Sequence, residues 1–223
     1  SYKRCLTIPG GVVVEVGDED GCTPEQLESG IGPNTVGIAY FESGRWGDNV
    51  VSIDAARDIA HKHGLPLVVD AAGQIYPLHH FQRVAQTGDI VAFGAKYFGS
   101  PHSTGICTGK TDIVESAFQQ NFIGFESAGF ARNQRPFGRP FKTDRQEVVG
   151  VVAALRRWFT MNHEDRLAIE DAKCHVIARA LAGVPGVSTA IPIEPPIGPT
   201  VPIHVGIDDS VVGKTVQQVI DEL

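Results

Sequence analysis

The chain has 223 residues, 42% of them hydrophobic and 20% charged, the balance of an ordinary globular protein with room for one large domain or a large and a small one. Its net charge of −7 at pH 7 argues against a large nucleic-acid surface, and the densest basic stretch, Arg132 to Lys142, is too short to reverse that. No apolar run is long enough to span a membrane and no apolar leader opens the chain, so a soluble, cytoplasmic protein is expected.

Val12 to Val16 reads as a buried strand. Thr23, Pro24 and Gln26 then mark a helix start, with Thr23 as cap, Pro24 in the first turn and Gln26 completing a capping box. The stretch NTVGIAYFE (34–42) is the next strand. SIDAARDIAHKHG (52–64) is a helix capped by Ser52, with Ile53, Ala56, Ile59 and Ala60 on one face and Gly64 at its end. LPLVVD (65–70) is a continuous apolar strand ending at Asp70, and DIVAF (89–93) is another. Apolar runs alternating with amphipathic helices predict a parallel sheet covered on both faces.

The pattern changes near residue 144. Asp144 and Glu147 open a long helix that carries Val148, Val151, Val152, Leu155 and Phe159 at helical spacing. A Pro-rich loop and a strand follow in EPPIGPTVPIHVGID (194–208), then a helix from about Val212. The expected fold is therefore α/β, with a mainly parallel sheet in a large domain over residues 1–145. A linking helix and a smaller α+β domain are expected over residues 146–223.

Ligands of parallel α/β sheets gather at the carboxyl ends of the strands. Asp70 ends one predicted strand, and Lys96 lies just past another in GDIVAFGAKYFGSPHSTG (88–105). A carboxylate and an amine so placed are open to two readings. One is a plain ion pair. The other is a site for an aldehyde cofactor, in which the amine is the covalent attachment point and the carboxylate keeps a ring nitrogen protonated. Ala71, Ala72 and Gly73 leave room for a flat ring above the first strand end, and Gly99, Pro101 and Gly105 turn the chain tightly after the lysine.

VVDAAGQ (68–74) together with GDIVAFGAKYFGSPHSTGICTG (88–109) resembles the fold-type-I pyridoxal-phosphate enzymes. The group it most resembles contains selenocysteine synthase (L-seryl-tRNA selenium transferase) and D-glucosaminate-6-phosphate ammonia lyase. GRPFK (138–142) ahead of a long helix is a further match. The resemblance implies the three-layer large domain of that fold, a pyridoxal 5'-phosphate cofactor and an amino-acid-like small-molecule substrate. It makes Lys96 the cofactor-binding and catalytic lysine and Asp70 the partner of the ring nitrogen. Ala72 packs on the ring, Gln74 reaches a cofactor oxygen, and Arg139, Lys142 and His102 lie toward the anionic substrate. The implied reaction is α-proton abstraction and β-elimination, as in an ammonia lyase. Selenium transfer on seryl-tRNA is the alternative that the acidic charge disfavours, and a catalytically incomplete binding or assembly protein is the non-enzymatic one. A homodimer or larger homo-oligomer is also implied. Two departures stand out: Ser100 replaces the group's glycine after Phe98-Gly99, and Phe93 stands where relatives often carry a serine. The segment that holds the cofactor phosphate at a helix N-terminus in relatives is expected to be missing ahead of Ser1, and the small domain to be incomplete.

Other candidates carry less. His61 and His63 lie two apart on a helix and are expected to be solvated, and His79 and His80 to be loop residues near the strand end. Gly109-Lys110-Thr111 is no phosphate loop, because its first glycine would fall at Thr104. Cys5, Cys22, Cys107 and Cys174 show no paired spacing and read as reduced thiols, so no metal site is expected.

Overall fold

The computed structural model describes residues 3–18, 20–42, 49–121, 136–192 and 197–222; residues 132–135 of the basic stretch lie outside them. The chain forms two compact units, Ser1–Trp158 and Phe159–Leu223.

The first unit opens with α1 (Lys3–Thr7) and α2 (Pro24–Ser29). The Thr23 hydroxyl accepts from Gln26 N while the Gln26 side chain accepts from Thr23 N, so the capping box forms as read. Val12 to Val16 is not a strand. Val12 and Val14 are exposed, and no described segment lies alongside to complete a ladder, without which an apolar run stays irregular.

Four strands then form one mixed sheet in the order β1 (Ile38–Phe41), β2 (Leu67–Asp70), β3 (Ile90–Gly94) and β4 (Gly105–Gly109). The first three are parallel and β4 is antiparallel to β3. Helices α3 (Ile53–Lys62) and α4 (Leu78–Thr87) make the crossovers. Their apolar stripes, Ile53, Ala56, Ile59 and Ala60 on α3 and Phe81 and Val84 on α4, are buried, as are Leu67, Val69, Val91 and Phe93 of the sheet. Phe93 meets Phe81 edge to face, with ring centroids 4.6 Å apart. On the opposite face Ala39, Phe41, Val68, Ala92 and Cys107 are exposed, where the sequence pattern predicts cover on both sides. Helices α5 (Thr111–Gln120) and α6 (Arg145–Thr160) follow; Asp144 Oδ1 accepts from Glu147 N (2.8 Å) at the start of α6.

The amino ends of β2 and β3 are pinned by a buried carboxylate. Asp89 is 2% exposed and accepts from Leu67 N (2.7 Å), from Lys110 Nζ (2.6 Å) and from His61 Nε2 (3.0 Å). Burial pushes this carboxyl up, but the Lys110, Leu67 and His61 hydrogen bonds outweigh it and hold it below the usual aspartate value. His61 and His63 are exposed, as expected, and each also bonds to a carboxylate, His61 to the buried Asp89 and His63 to Glu28.

The second unit contains α7 (His163–Leu181), capped by Asn162, and an antiparallel pair β5 (Val187–Ala190) and β6 (His204–Ile207). It ends with α8 (Asp209–Val212) and α9 (Val216–Glu222). All four cysteines are free, and no described helix is long and apolar enough to cross a membrane.

Candidate active site

Asp70 and Lys96 stand at the carboxyl ends of neighbouring parallel strands. The ladder pairs Asp70 with Ala92, and two further bonds carry the pairing past the end of β2 to the end of β3: Ala71 N to Ala92 O and Gly94 N to Ala72 O, each 2.9 Å. The chain leaves β2 in a tight bend closed by Gln74 N to Ala71 O (2.9 Å) and Ile75 N to Gly73 O (3.0 Å). Asp70 is half-buried and lies in one row across the sheet with Phe41, Ala92 and Cys107, on the face that α3 and α4 leave uncovered. Its Oδ1 accepts from Ala72 N (3.1 Å), an Asx-type bond that holds the carboxylate over the bend.

Lys96 lies on a single 3-10 turn, Ala95–Phe98, directly off β3. Ala95 and Phe98 are buried and anchor that turn, which leaves Lys96 and Tyr97 facing outward. The Lys96 Nζ stands 5.1 Å from the centroid of the Tyr97 ring, within cation–π range. Tyr97 lies over Gly94, where a Cβ would come within 3.0 Å of the ring and 3.3 Å of Ala72 O. The absence of a side chain at residue 94 is what lets the two strand ends and the ring approach so closely.

Gly99 turns the chain back with φ +89°, and its N–H donates to Lys96 O (3.1 Å). Ser100, the departure from the family pattern, is absorbed into the turn: its Oγ lies 2.9 Å from Thr104 Oγ1, which also meets Pro101 O at 2.6 Å. Ala95 N donates to Thr104 O (3.0 Å) and closes the loop before β4. A Cβ at residue 99 meets no atom nearer than 3.5 Å, so Gly99→Ala is expected to cost about 1 kcal/mol from the left-handed backbone alone, read as a lower urea midpoint with the slope unchanged.

Asp70 and Lys96 form no ion pair with each other or with any other described residue. The other sequence-derived candidates are dispersed. Ala72 is at the bend between the two strand ends. Gln74 is 8% exposed, and its Oε1 accepts from the Nε2–H of His80 (3.2 Å), itself 6% exposed. Burial, with Arg83 and His79 nearby, lowers the His80 pKa, which suits a neutral ring donating that bond. His80 is therefore a buried residue of α4 rather than a loop histidine. His102 is exposed in the turn after Lys96. Arg139, half-buried, and Lys142, exposed, sit in a separate turn over 136–142 and bond to neither Asp70 nor Lys96. Phe93 is 2% exposed in the core, so it offers nothing to a phosphate.

Tyr97 was not singled out from sequence, although its place beside the lysine is the signal for it. A shallow hollow of about 460 Å³ lies elsewhere, between β4 and α5, lined by Cys107, Val114 and Phe118 among others. It includes neither Asp70 nor Lys96.

Residues 10–112 match the DegT/DnrJ/EryC1/StrS aminotransferase family. Over 183 residues the chain is 30% identical to D-glucosaminate-6-phosphate ammonia lyase of Salmonella typhimurium, which covers 81% of this chain and 44% of that enzyme. Over 188 residues it is 28% identical to 5'-C-glycyluridine monooxygenase-decarboxylase of a Streptomyces species, covering 83% and 43%. The solved structure of D-glucosaminate-6-phosphate ammonia lyase superposes with a TM-score of 0.61 at 27% identity, over 94% of this chain and 52% of its own. DesI, solved with its TDP-sugar product, superposes with a TM-score of 0.56 at 21% identity over 98% and 54%, a likeness of fold. The chain thus spans less than half the length of these two curated relatives. The α/β fold and the relation to the ammonia lyase expected from the sequence are borne out, and pyridoxal phosphate is the cofactor of the family and relatives that the chain resembles. The family that residues 10–112 resemble consists of pyridoxal-phosphate enzymes.

Proposed function

We propose that this chain carries the lysine and the ring-nitrogen carboxylate of a pyridoxal-phosphate-dependent lyase. Its substrate is an amino acid or amino-sugar acid, from which an α-proton is abstracted and a β-substituent lost. The observation that carries this reading is the pair at the ends of neighbouring strands: Asp70 closes β2, Lys96 follows β3, and neither is used in an ion pair with a described residue. The residues present fit the cofactor, because the small residues Ala72, Gly73 and Gly94 and the Tyr97 ring border an amine and a carboxylate that form no ion pair with a described residue.

When bound, pyridoxal phosphate supplies an electron sink for the charge left by the departing proton. Lys96 would hold the cofactor through its amine, and its Nζ would accept the substrate's α-proton. Asp70, oriented by the Ala72 N–H, would partner the ring nitrogen. Gln74, Arg139, Lys142 and His102 are assigned here to the cofactor and the anionic end of the substrate, where a guanidinium fork suits a carboxylate or phosphate. Membership of the selenocysteine synthase group, a large domain over 1–145 and a small one over 146–223, a homodimer and a cytoplasmic location belong to the same reading. Seryl-tRNA is disfavoured as substrate by the net charge of −7.

The test is to incubate the chain with pyridoxal phosphate, reduce with borohydride and map the labelled peptide. Label confined to Lys96 supports the proposal; label spread over many lysines overturns it. A second reading, amine transfer, is favoured by the family match over residues 10–112. Ammonia released without a 2-oxo acid acceptor supports the lyase, and conversion of an added 2-oxo acid to its amino acid without free ammonia supports the transferase. Asp70→Asn is expected to retain the cofactor and lose about 10²-fold or more of kcat, because an amide does not hold a proton on the ring nitrogen. Full activity in that variant shows that the ring nitrogen needs no carboxylate here.

A further inference from the structure

Both site loops rest on one helix. Trp158, 3% exposed near the end of α6, donates its indole Nε1–H to Ile75 O (2.9 Å), the last residue of the bend that follows Asp70. Three turns earlier on the same helix, Glu147 Oε1 accepts from Ser103 Oγ (3.1 Å) in the turn that follows Lys96. Between them Gly150 lies directly on that turn: a Cβ there would stand 3.0 Å from Pro101 Cδ. Arg157 also comes close, with its Nη1 3.5 Å from the Cβ position of Gly99. Residues 147, 150, 154 and 158 recur at spacings of three and four, which places them on one helix face.

We infer that α6 is a common brace for the loops carrying Asp70 and Lys96, with Trp158 and Glu147 as its positioning residues. The inference rests on the reading of those two residues given above. Among the described residues the loops are tied directly by two ladder bonds, Ala71 N to Ala92 O and Gly94 N to Ala72 O. A carboxylate and an amine that must meet one flat ring need their relative position held closely, since small displacements are costly to catalysis. The helix adds a second tie at the far side of each loop. A buried indole N–H without an acceptor is itself costly, so the Trp158 bond fixes the helix as firmly as it fixes the bend. Neither residue touches the reacting atoms in this account; each acts through the loop it holds.

The experiment uses the whole chain with Glu147→Ala, Glu147→Gln and Trp158→Phe. Amide hydrogen exchange is followed at 71–75 and 99–104, together with the rate of borohydride-trapped pyridoxal phosphate labelling at Lys96. The brace predicts that each disruptive variant loosens both loops, so Glu147→Ala speeds exchange at Gln74 and Ile75, which Glu147 does not touch. The expected change is about fivefold in exchange, with a similar fall in labelling rate at subsaturating cofactor. Glu147→Gln, which keeps an acceptor oxygen for Ser103, is expected to restore both. Exchange altered only in the loop that each residue contacts overturns the inference. Should Trp158→Phe fail to fold, the partly exposed Glu147 carries the test alone. Absence of Lys96 labelling in the wild type defeats the proposed function, while exchange still decides the brace.

Discussion

Lys96→Ala is expected to remove the visible absorbance of bound pyridoxal phosphate and to lower turnover by at least about 10³-fold, since both covalent attachment and proton transfer depend on the one amine. Stability should hardly change. Lys96 is exposed and makes no ion pair with a described residue, so its truncation belongs with surface substitutions, within about 0.5 kcal/mol. This separation of effects makes the variant decisive, because lost absorbance with an unchanged unfolding midpoint cannot be attributed to damaged structure. Lys96→Arg is the matching control. It keeps a positive charge beside Tyr97, but a guanidinium does not give up its proton at working pH and forms no such adduct. An unchanged spectrum in either variant removes Lys96 from the chemistry.

The second large effect lies at the opposite end of the strands. Asp89→Ala is expected to destabilise the chain by about 2 kcal/mol, the size seen when a buried N–H, here that of Leu67, loses its acceptor, while the exposed Lys110 and His61 are left to water. Three groups lose their acceptor at once: Leu67 N–H on β2, Lys110 beyond β4 and His61 on α3. In urea the midpoint is expected to fall by roughly 1–2 M with little change in slope. The same carboxylate gives stability a pH dependence of definite sign. Its folded pKa is depressed, so its contribution is complete above the unfolded value near 4 and is lost as pH falls through the folded one. Wild type should therefore lose stability in acid below about pH 4 through this group, and Asp89→Asn should lack that part of the decline. An unshifted midpoint for Asp89→Ala at neutral pH shows that the junction contributes nothing.

Much of the first unit was legible because its local signals agree with its tertiary structure. The Thr23 capping box, the Ser52 cap, the α3 stripe and the Asp144 start of α6 all form where the sequence marks them. Strands β1 to β3 were legible as apolar runs between helices. Strand β4 was not, because Gly105–Gly109 has glycine at both ends and one strong apolar residue, Ile106; it exists through pairing with β3. Val12 to Val16 shows the converse, an apolar run without a partner. Helix α4 was missed because its histidines were read as loop residues, although Phe81 and Val84 mark its buried face. At the site, strand-end position made Asp70 and Lys96 legible. Gln74 faces His80, a packing choice that no local pattern encodes, and the reach of Trp158 to Ile75 joins segments far apart in the chain.

The antiparallel turn of β4 has a consequence for the order in which the site is assembled. Lys96 sits inside a hairpin, with Gly94 paired to Gly105 across a short connection. Asp70 meets β3 only through a crossover that must first lay α4 against the sheet. Closing the shorter loop costs less chain entropy, and local contacts form faster than distant ones. The lysine's turn therefore has the cheaper route to its native shape, and the carboxylate comes alongside a partner whose geometry is already set. Substitutions in the hairpin should accordingly slow refolding more than those in the bend after Asp70, which should act mainly on the unfolding rate.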